Sequence, residues 1–447
     1  MTDEQPLPDL DAPHAEVLGP RRRTGWAVLA AGGVALVAAV VVAVVVFLNV
    51  DPAGVGDATP SPSSDASPED TLSASQTAGT TVEPSPTATV EPVAGWHEAA
   101  TFGADGFIDR VGLIARVPGG FIAVGIHFED FGPLVAGPME GRVWQSADGR
   151  GWQDVTPPDV FTEAYLGQLF VTADGALVLL GSVRESDIGP PTPMAWESAD
   201  GLAWSSTASP IPDGSPVGVA VGAQGYLALL GDGGLWLSSD GRAWEMVMAG
   251  GTDGSYISSV AAGDEGFMAI GTRSAGDVTE TYAIASSDGR TWIEATDPPA
   301  GAYTVVPRGG DWFATGSMGP PCGSAPRDIP VWSSASGLEW AEIGSIPLRP
   351  IPEWTEFECW RVGVGLHAAG RWLLADASAG PACCDNPPTQ GTRHISRDGR
   401  SWESLSLPGV EDGSPAAGIA DAITDGDLLI LVGHVDKRAV FWFNEAP

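Results

Sequence analysis

Apolar residues recur along this chain in short runs bounded by glycine. Gly120-Phe-Ile-Ala-Val-Gly125, Gly175-Ala-Leu-Val-Leu-Leu-Gly181, Gly225-Tyr-Leu-Ala-Leu-Leu-Gly231 and Gly266-Phe-Met-Ala-Ile-Gly271 are examples. Continuous apolar runs this short predict strands buried on both faces. A second pattern follows. An apolar strand ends in serine, as in Val143-Trp-Gln-Ser146, and leads through a tight turn to a tryptophan. The turn occurs at Ser146-Ala-Asp148-Gly149-Arg-Gly-Trp152, Ser198-Ala-Asp200-Gly201-Leu-Ala-Trp204 and Ser238-Ser-Asp240-Gly241-Arg-Ala-Trp244. It recurs at Ser286-Ser-Asp288-Gly289-Arg-Thr-Trp292, Ser334-Ala-Ser336-Gly337-Leu-Glu-Trp340 and Ser396-Arg-Asp398-Gly399-Arg-Ser-Trp402. The tryptophans stand 52, 40, 48, 48 and 62 residues apart, the size of a four-stranded propeller blade.

Asp-Gly between two strands predicts a hairpin turn in which Gly supplies the positive φ and Asp accepts backbone N–H groups. The tryptophan opens the outgoing strand and is placed to pack between blades. A residue repeated in every turn does the same local job each time, so all six turns are read as structural. Ser336 stands where the other five turns carry Asp, which weakens that turn. The motif resembles the Asp-box, or BNR repeat, of sialidase-like β-propellers, whose pattern is Ser-x-Asp-x-Gly-x-x-Trp. Here Gly follows Asp directly, one residue sooner. The resemblance covers residues 96–447 and implies a propeller in a bacterial, membrane-anchored, exported protein.

Blade counting gives seven. Six blades end at the six turn tryptophans. A seventh contains Gly426-Asp-Leu-Leu-Ile-Leu-Val-Gly433 and Ala439-Val-Phe-Trp-Phe443, then the sequence ends. Its outer strand is expected from Trp96-His-Glu-Ala-Ala100, with Trp96 as the counterpart of the turn tryptophans. That pairing removes exposed sheet edges.

Residues 25–50 break the pattern with an uncharged apolar run. Its length suits a bilayer-spanning helix and exceeds a signal-peptide core. Arg21, Arg22 and Arg23 precede it, so the N-terminus is expected in the cytoplasm and the rest of the chain outside. Residues 1–24 read as a disordered cytoplasmic tail. Residues 51–95 hold 7 Pro, 7 Ser and 7 Thr with no aromatic or basic residue, a disordered stalk. The expected organisation is tail 1–24, transmembrane helix 25–50, stalk 51–95 and all-β, seven-bladed propeller 96–447, in a single-pass protein of the cell membrane.

Composition excludes one class of partner. The formal charge is −36, with 57 acids against 21 bases, too few cations for nucleic-acid phosphates. The four cysteines, Cys322, Cys359, Cys383 and Cys384, all fall in segments assigned to one face of blades five and six. Outside the cell disulfides are favoured, one from each of Cys383 and Cys384 to Cys322 and Cys359, with zinc binding the alternative. No cofactor is implied.

In a four-stranded blade the first and third turns share one face. The remaining connections share the other, and the long insertions (126–141, 182–194, 317–330, 341–361 and 377–393) fall there. Counting ten residues back from the Gly that opens each second strand gives Arg110, Tyr165, Ser215, Tyr256, Trp360 and Ala416, with blade five near Tyr303. These open the inner strands. Arg110, Tyr165, Tyr256, Trp360 and Arg361 are the candidate ligand-binding set, suited to a sugar, an acidic group or a peptide; the alternative is packing between blades.

A sialidase needs an arginine cluster, a Tyr nucleophile and an acid/base Asp. The family's Phe/Tyr-Arg-Ile-Pro element is matched only by Arg327-Asp-Ile-Pro330, misplaced and in the wrong order. No catalytic residue carries over. Asp109, Glu129, Asp130, Glu163 and Glu358 are acids expected in long-loop segments. The expectation is a non-catalytic binding or scaffolding module for a glycan, peptide or protein on the long-loop face; the alternative is a glycoside hydrolase or lyase of the same fold.

Overall fold

The structure, a computed structural model, describes residues 95–130, 136–184, 190–212, 214–251, 254–275, 278–316, 328–349, 360–381 and 390–445. The tail, the apolar run 25–50, the stalk up to residue 94 and all four cysteines lie outside the described residues.

Seven four-stranded antiparallel sheets contain all the named strands, and no helix occurs among the described residues. In six sheets the strands follow chain order. The seventh runs Ala417–Asp425, Leu428–Val435, Arg438–Asn444, and then Trp96–Phe102 as its outer strand. Trp96 pairs with Asn444 and Phe102 with Ala439. The first strand of each sheet touches the first strand of the next, from Phe107–Val117 in blade 1 round to Ala417–Asp425 in blade 7 and back. The molecule is an all-β, seven-bladed propeller closed by its own two ends.

The second strands are the driest. Gly225–Leu230 is buried along its whole length, and Leu177–Val183 along all but its last residue. Both faces of each blade are covered by neighbours, so a continuous apolar run fits. The core is correspondingly divided into wedges between adjacent blades. Phe121, Trp144 and Trp152 of blade 1 pack against Ile430, Val432 and Phe441 of blade 7. Trp402 of blade 6 packs with Phe313 of blade 5. Trp96 lies with Trp372, Leu374 and Ile395 of blade 6.

The six turns, five reading Ser-x-Asp-Gly and the fifth Ser-x-Ser-Gly, all share the serine-to-glycine hydrogen bond. The tryptophan bond to the glycine carbonyl forms in all but the fourth, where Trp292 Nε1 is buried with no partner among the described residues. Ser238 Oγ accepts the Gly241 N–H at 2.9 Å, and Asp240 Oδ1 accepts the N–H groups of Arg242 and Ala243, both at 2.8 Å. Trp244 Nε1 donates to the Gly241 carbonyl at 3.2 Å. In the fifth turn Ser336 Oγ accepts the Leu338 N–H at 3.2 Å. Each turn glycine has φ between 71° and 77° and abuts the preceding blade: a methyl on Gly201 would meet Ile122, and one on Gly289 would meet Leu237. The arginine after the glycine also reaches backward. Arg150 pairs with Glu445, Arg242 with Glu197, and Arg290 with Glu245.

Two expectations need correction. The segments expected as long loops are partly strand: the 126–141 hairpin stays paired out to Asp130 and Ala136, and Trp372–Pro381 and Gln390–Ser396 extend into 377–393. An antiparallel ladder continues wherever both backbones have partners, whatever the side chains face. Asp109, Glu129 and Asp130 accordingly stand on strands, not in loops. In blade 7 the residue matching Arg110 is Gly418, not Ala416. Gly426 lies in the turn, and Leu428, paired with Asp425, is the counterpart of Gly120, paired with Val117. In blade 6 Trp360 lies at least two residues outside the column, because Gly370 is in the turn and Trp372, paired with Ala369, is the counterpart of Gly120.

Candidate functional site

The inner strands carry the site, and a recurring bulge shapes it. In blades 1, 2, 3, 4 and 7 the register between first and second strands skips one residue: Gly112, Gly167, Val217, Ser258 and Ala420. A bulge leaves local backbone groups out of the ladder. Side chains of the neighbouring blade meet these and other inner-strand N–H groups. Ser259 Oγ accepts the Val305 N–H at 3.2 Å, and Tyr303 Oη accepts the Val364 N–H at 2.7 Å. Asp376 Oδ2 accepts the Ile419 N–H at 2.8 Å, and Asp421 Oδ2 accepts the Ile114 N–H at 3.1 Å. The four contacts tie blades 4 to 5, 5 to 6, 6 to 7 and 7 to 1.

Arg110, Tyr165 and Tyr256 stand just before the bulges of blades 1, 2 and 4, toward the long-loop end, whereas Trp360 and Arg361 lie on an inner strand that pairs without a bulge. Arg110 pairs across the strand with Ile126, Tyr165 with Ser182, and Tyr256 with Thr272. Trp360 and Arg361 open the inner strand of blade 6 opposite Pro381 and Gly380. Tyr165 is 6% exposed and packs with Ile126 and Phe128; burial pushes its hydroxyl up to about 12. Burial also raises Tyr256, with the Asp232 charge adding to it. Tyr303 is likewise raised by burial, its oxygen already holding the Val364 N–H.

Charge concentrates where blades 6, 7 and 1 meet. Burial lowers the Arg110 guanidinium to about 10, opposed by Asp436, and its Nη1 is buried with no hydrogen-bond partner among the described residues. Arg393 is buried; its Nη2 donates to the Ser414 carbonyl at 2.8 Å and to the Ala417 carbonyl, and its Nε lies 3.8 Å from Asp376. Burial pushes Asp376 up to about 6, against the pull of Arg393 and the Ile419 N–H. Burial, with the positive charges of Arg110 and Arg393 adding to it, holds His434 well below the usual imidazole range, so it is neutral at pH 7. Beside this group Asp109 bonds His127 Nδ1 at 2.9 Å, and Phe107 stacks on that imidazole at 4.7 Å.

The arrangement offers a buried cation with an unpartnered N–H, a neutral imidazole and a carboxyl already engaged. It can receive an acceptor-bearing or anionic group. Among the other sequence candidates, Asp130 contacts Lys437, Glu163 precedes the inner strand of blade 2 with φ 53°, and Glu358 lies outside the described residues. Sequence reading missed Asp376, Arg393, Asp421 and His434. Asp376 and His434 are the lone ionisable residues of mostly apolar strands, which was the available signal, whereas Arg393 and Asp421 share their strands with several polar residues and gave none.

No family model and no curated protein matches this sequence. Solved structures similar to it include the Trypanosoma rangeli sialidase in complex with 2,3-difluorosialic acid, at 12% identity over 80% of this chain and 59% of that one, TM-score 0.40. An α-L-arabinanase of Penicillium chrysogenum complexed with arabinobiose is 13% identical over 79% and 98%, TM-score 0.37. A Lactobacillus plantarum protein is 14% identical over 73% and 89%, TM-score 0.44. At these identities the likeness is one of fold, and the seven-bladed assignment rests on the strand pairing itself.

Proposed function

We propose that this chain is a membrane-tethered, extracytoplasmic binding module that holds a glycan, peptide or protein ligand at the long-loop end of its channel. The six turns are read as Asp-box repeats, the run 25–50 as the anchor and the cysteines as disulfide partners. The ligand is expected on Arg110, Tyr165, Tyr256, Trp360 and Arg361. The observation that carries the reading is the buried, unpartnered N–H of Arg110 beside a neutral His434. A charge-assisted bond to such a donor contributes about 1.5–3 kcal/mol.

A non-catalytic role is supported by how the buried carboxyls are used. Asp376 and Asp421 both hold inner-strand N–H groups of the next blade, so each is a tie between blades. A glycan and peptide array probed with the purified chain tests the proposal. Hits are expected to weaken about tenfold or more in Arg110→Gln, a loss of the size just given. Release of reducing sugar from the glycan hits by the wild-type chain, lost in Asp376→Asn, would establish the hydrolase reading instead.

A further inference from the structure

The turn face of blade 6 gathers arginines in an otherwise acidic ring. Arg371 and Arg397 both stand over the buried Trp372 ring, at 5.3 and 4.4 Å from its centre. Arg308 of blade 5 donates from Nη2 to the Arg397 carbonyl and lies 5.3 Å over the Phe313 ring. Its Nη1 is buried with no partner among the described residues. Arg400 shares a turn with Arg397 and abuts blade 5, where a methyl on Gly344 would meet its backbone. Arg371, Arg397 and Arg400 are exposed. Aromatic faces hold such guanidiniums in place while leaving their donors open to an acceptor.

Arg400 differs from the arginines at the same place in other turns. Arg150, Arg242 and Arg290 each reach an acid of the preceding blade, Glu445, Glu197 and Glu245. The matching positions of blade 5 are Ala335, Ser333 and Ala341, all uncharged. Arg400 forms no ion pair among the described residues. Asp398 of its own turn is occupied, since Oδ1 accepts the Arg400 and Ser401 N–H groups, both at 2.8 Å. Arg371 has Asp427 at 3.9 Å, and Arg308 lies in the field of Asp398 and Asp311.

The N-terminal part of the chain meets the ring beside these arginines. Trp96 pairs with Asn444, which stands opposite Leu429 as Ser146 stands opposite Phe121. Gly95 therefore lies at the turn face. Trp96 also shares one core cluster with Trp372, the ring under Arg371 and Arg397. Residues 51–94 carry seven acids and no Lys, Arg or His. Glu91 and Glu83 stand four and twelve residues before Gly95. At about 3.5 Å per residue they reach about 14 and 42 Å from it.

We propose that the acidic segment 83–94 docks on Arg371, Arg397 and Arg400, its carboxylates taking the place of the acids that blade 5 lacks. Guanidinium forks match carboxylates in geometry as well as charge. Linkage through Gly95 makes the encounter intramolecular, at an effective concentration on the order of millimolar. The contact draws the chain off across the turn face of blade 6 and leaves the long-loop end clear. The inference is independent of the function proposed at that end.

Arginine modification by phenylglyoxal tests this on the full chain in mild detergent, with each site followed by mass spectrometry. The wild type is compared with Glu83→Gln/Glu91→Gln. Arg397 and Arg400 are expected to react about threefold faster in the variant, the size that two exposed ion pairs support. Added salt should bring the wild type to the variant's rate. Arg116, exposed on the same face and bridged to Asp425 at 2.6 Å, should react alike in both chains. The substituted residues lie outside the ring, so an unchanged melting temperature is the folding control. The proposal is overturned if Arg397 and Arg400 react alike in the two chains, or if Arg116 accelerates as much as they do. A second arm adds inorganic phosphate or phosphatidylglycerol vesicles. Protection of Arg397 and Arg400 as strong in the wild type as in the variant would show a surface open to outside anions, and would also overturn it.

Discussion

Single residues in this ring act twice, once on their own turn and once on the next blade. Gly201 shows both effects. Its φ is 77°, and a side chain there would strike Ile122 of blade 1. Gly175 has φ 88° but open space around it. Left-handed strain costs an Ala about 1–2 kcal/mol, and overpacking adds about 1–3. Gly201→Ala is therefore expected to destabilise by about 2–4 kcal/mol and Gly175→Ala by about half that, measured by urea unfolding.

The buried carboxyls give a pH prediction at the same scale. Burial pushes Asp421 up to about 6, against the N–H groups of Ile114 and Ala422, and Asp376 moves likewise. A carboxyl raised in the folded state binds its proton more tightly there than in the unfolded chain. Stability from this source is full below the ordinary Asp pKa and is lost as pH rises from about 4 through 6. The exposed turn residues have the opposite sign: the Thr291 and Arg290 N–H groups hold Asp288 down to about 2, so its contribution is lost only as pH falls toward that value. Asp421→Asn keeps an acceptor for the Ile114 N–H and removes the ionisation. Its unfolding free energy, from urea titrations, is expected to fall less than the wild type's between pH 4 and 6.5, by on the order of 2 kcal/mol.

At the scale of elements, the closing strand matters most. Trp96–Phe102 covers the edge of Arg438–Asn444, and without it a row of backbone donors and acceptors faces water. A chain lacking residues 96–102 is expected to self-associate or aggregate, as read by light scattering. Removing residues before 95 leaves that pairing intact. The elements were largely legible in the sequence. Glycine-bounded apolar runs such as Gly225–Leu230 are the second strands, and the Ser-x-Asp-Gly segments are the third turns. The extent of the outer hairpins was not legible, because polar residues such as His127 and Glu129 continue a ladder through backbone bonds alone.

At the scale of the whole molecule, the excess negative charge belongs mainly to the ring. Residues 96–447 hold 45 of the 57 acids and 18 of the 21 bases. Like charge in a compact body opposes folding, and salt screens it. The melting temperature is expected to rise with sodium chloride from low to physiological ionic strength. A flat response would mean that the inter-blade ion pairs, such as Arg242 with Glu197, offset the repulsion locally.

Local pattern determined the all-β class, the number of blades and the pairing of the two ends. Strand runs and hairpin turns depend on residues within a few positions of each other, and these are written directly in the chain. Only the tertiary structure brought Arg110 beside His434 and joined Asp421 to the Ile114 N–H across 307 residues. Such neighbours follow from closure of the ring, where each inner strand meets the next blade, and no local spacing along the chain encodes that meeting.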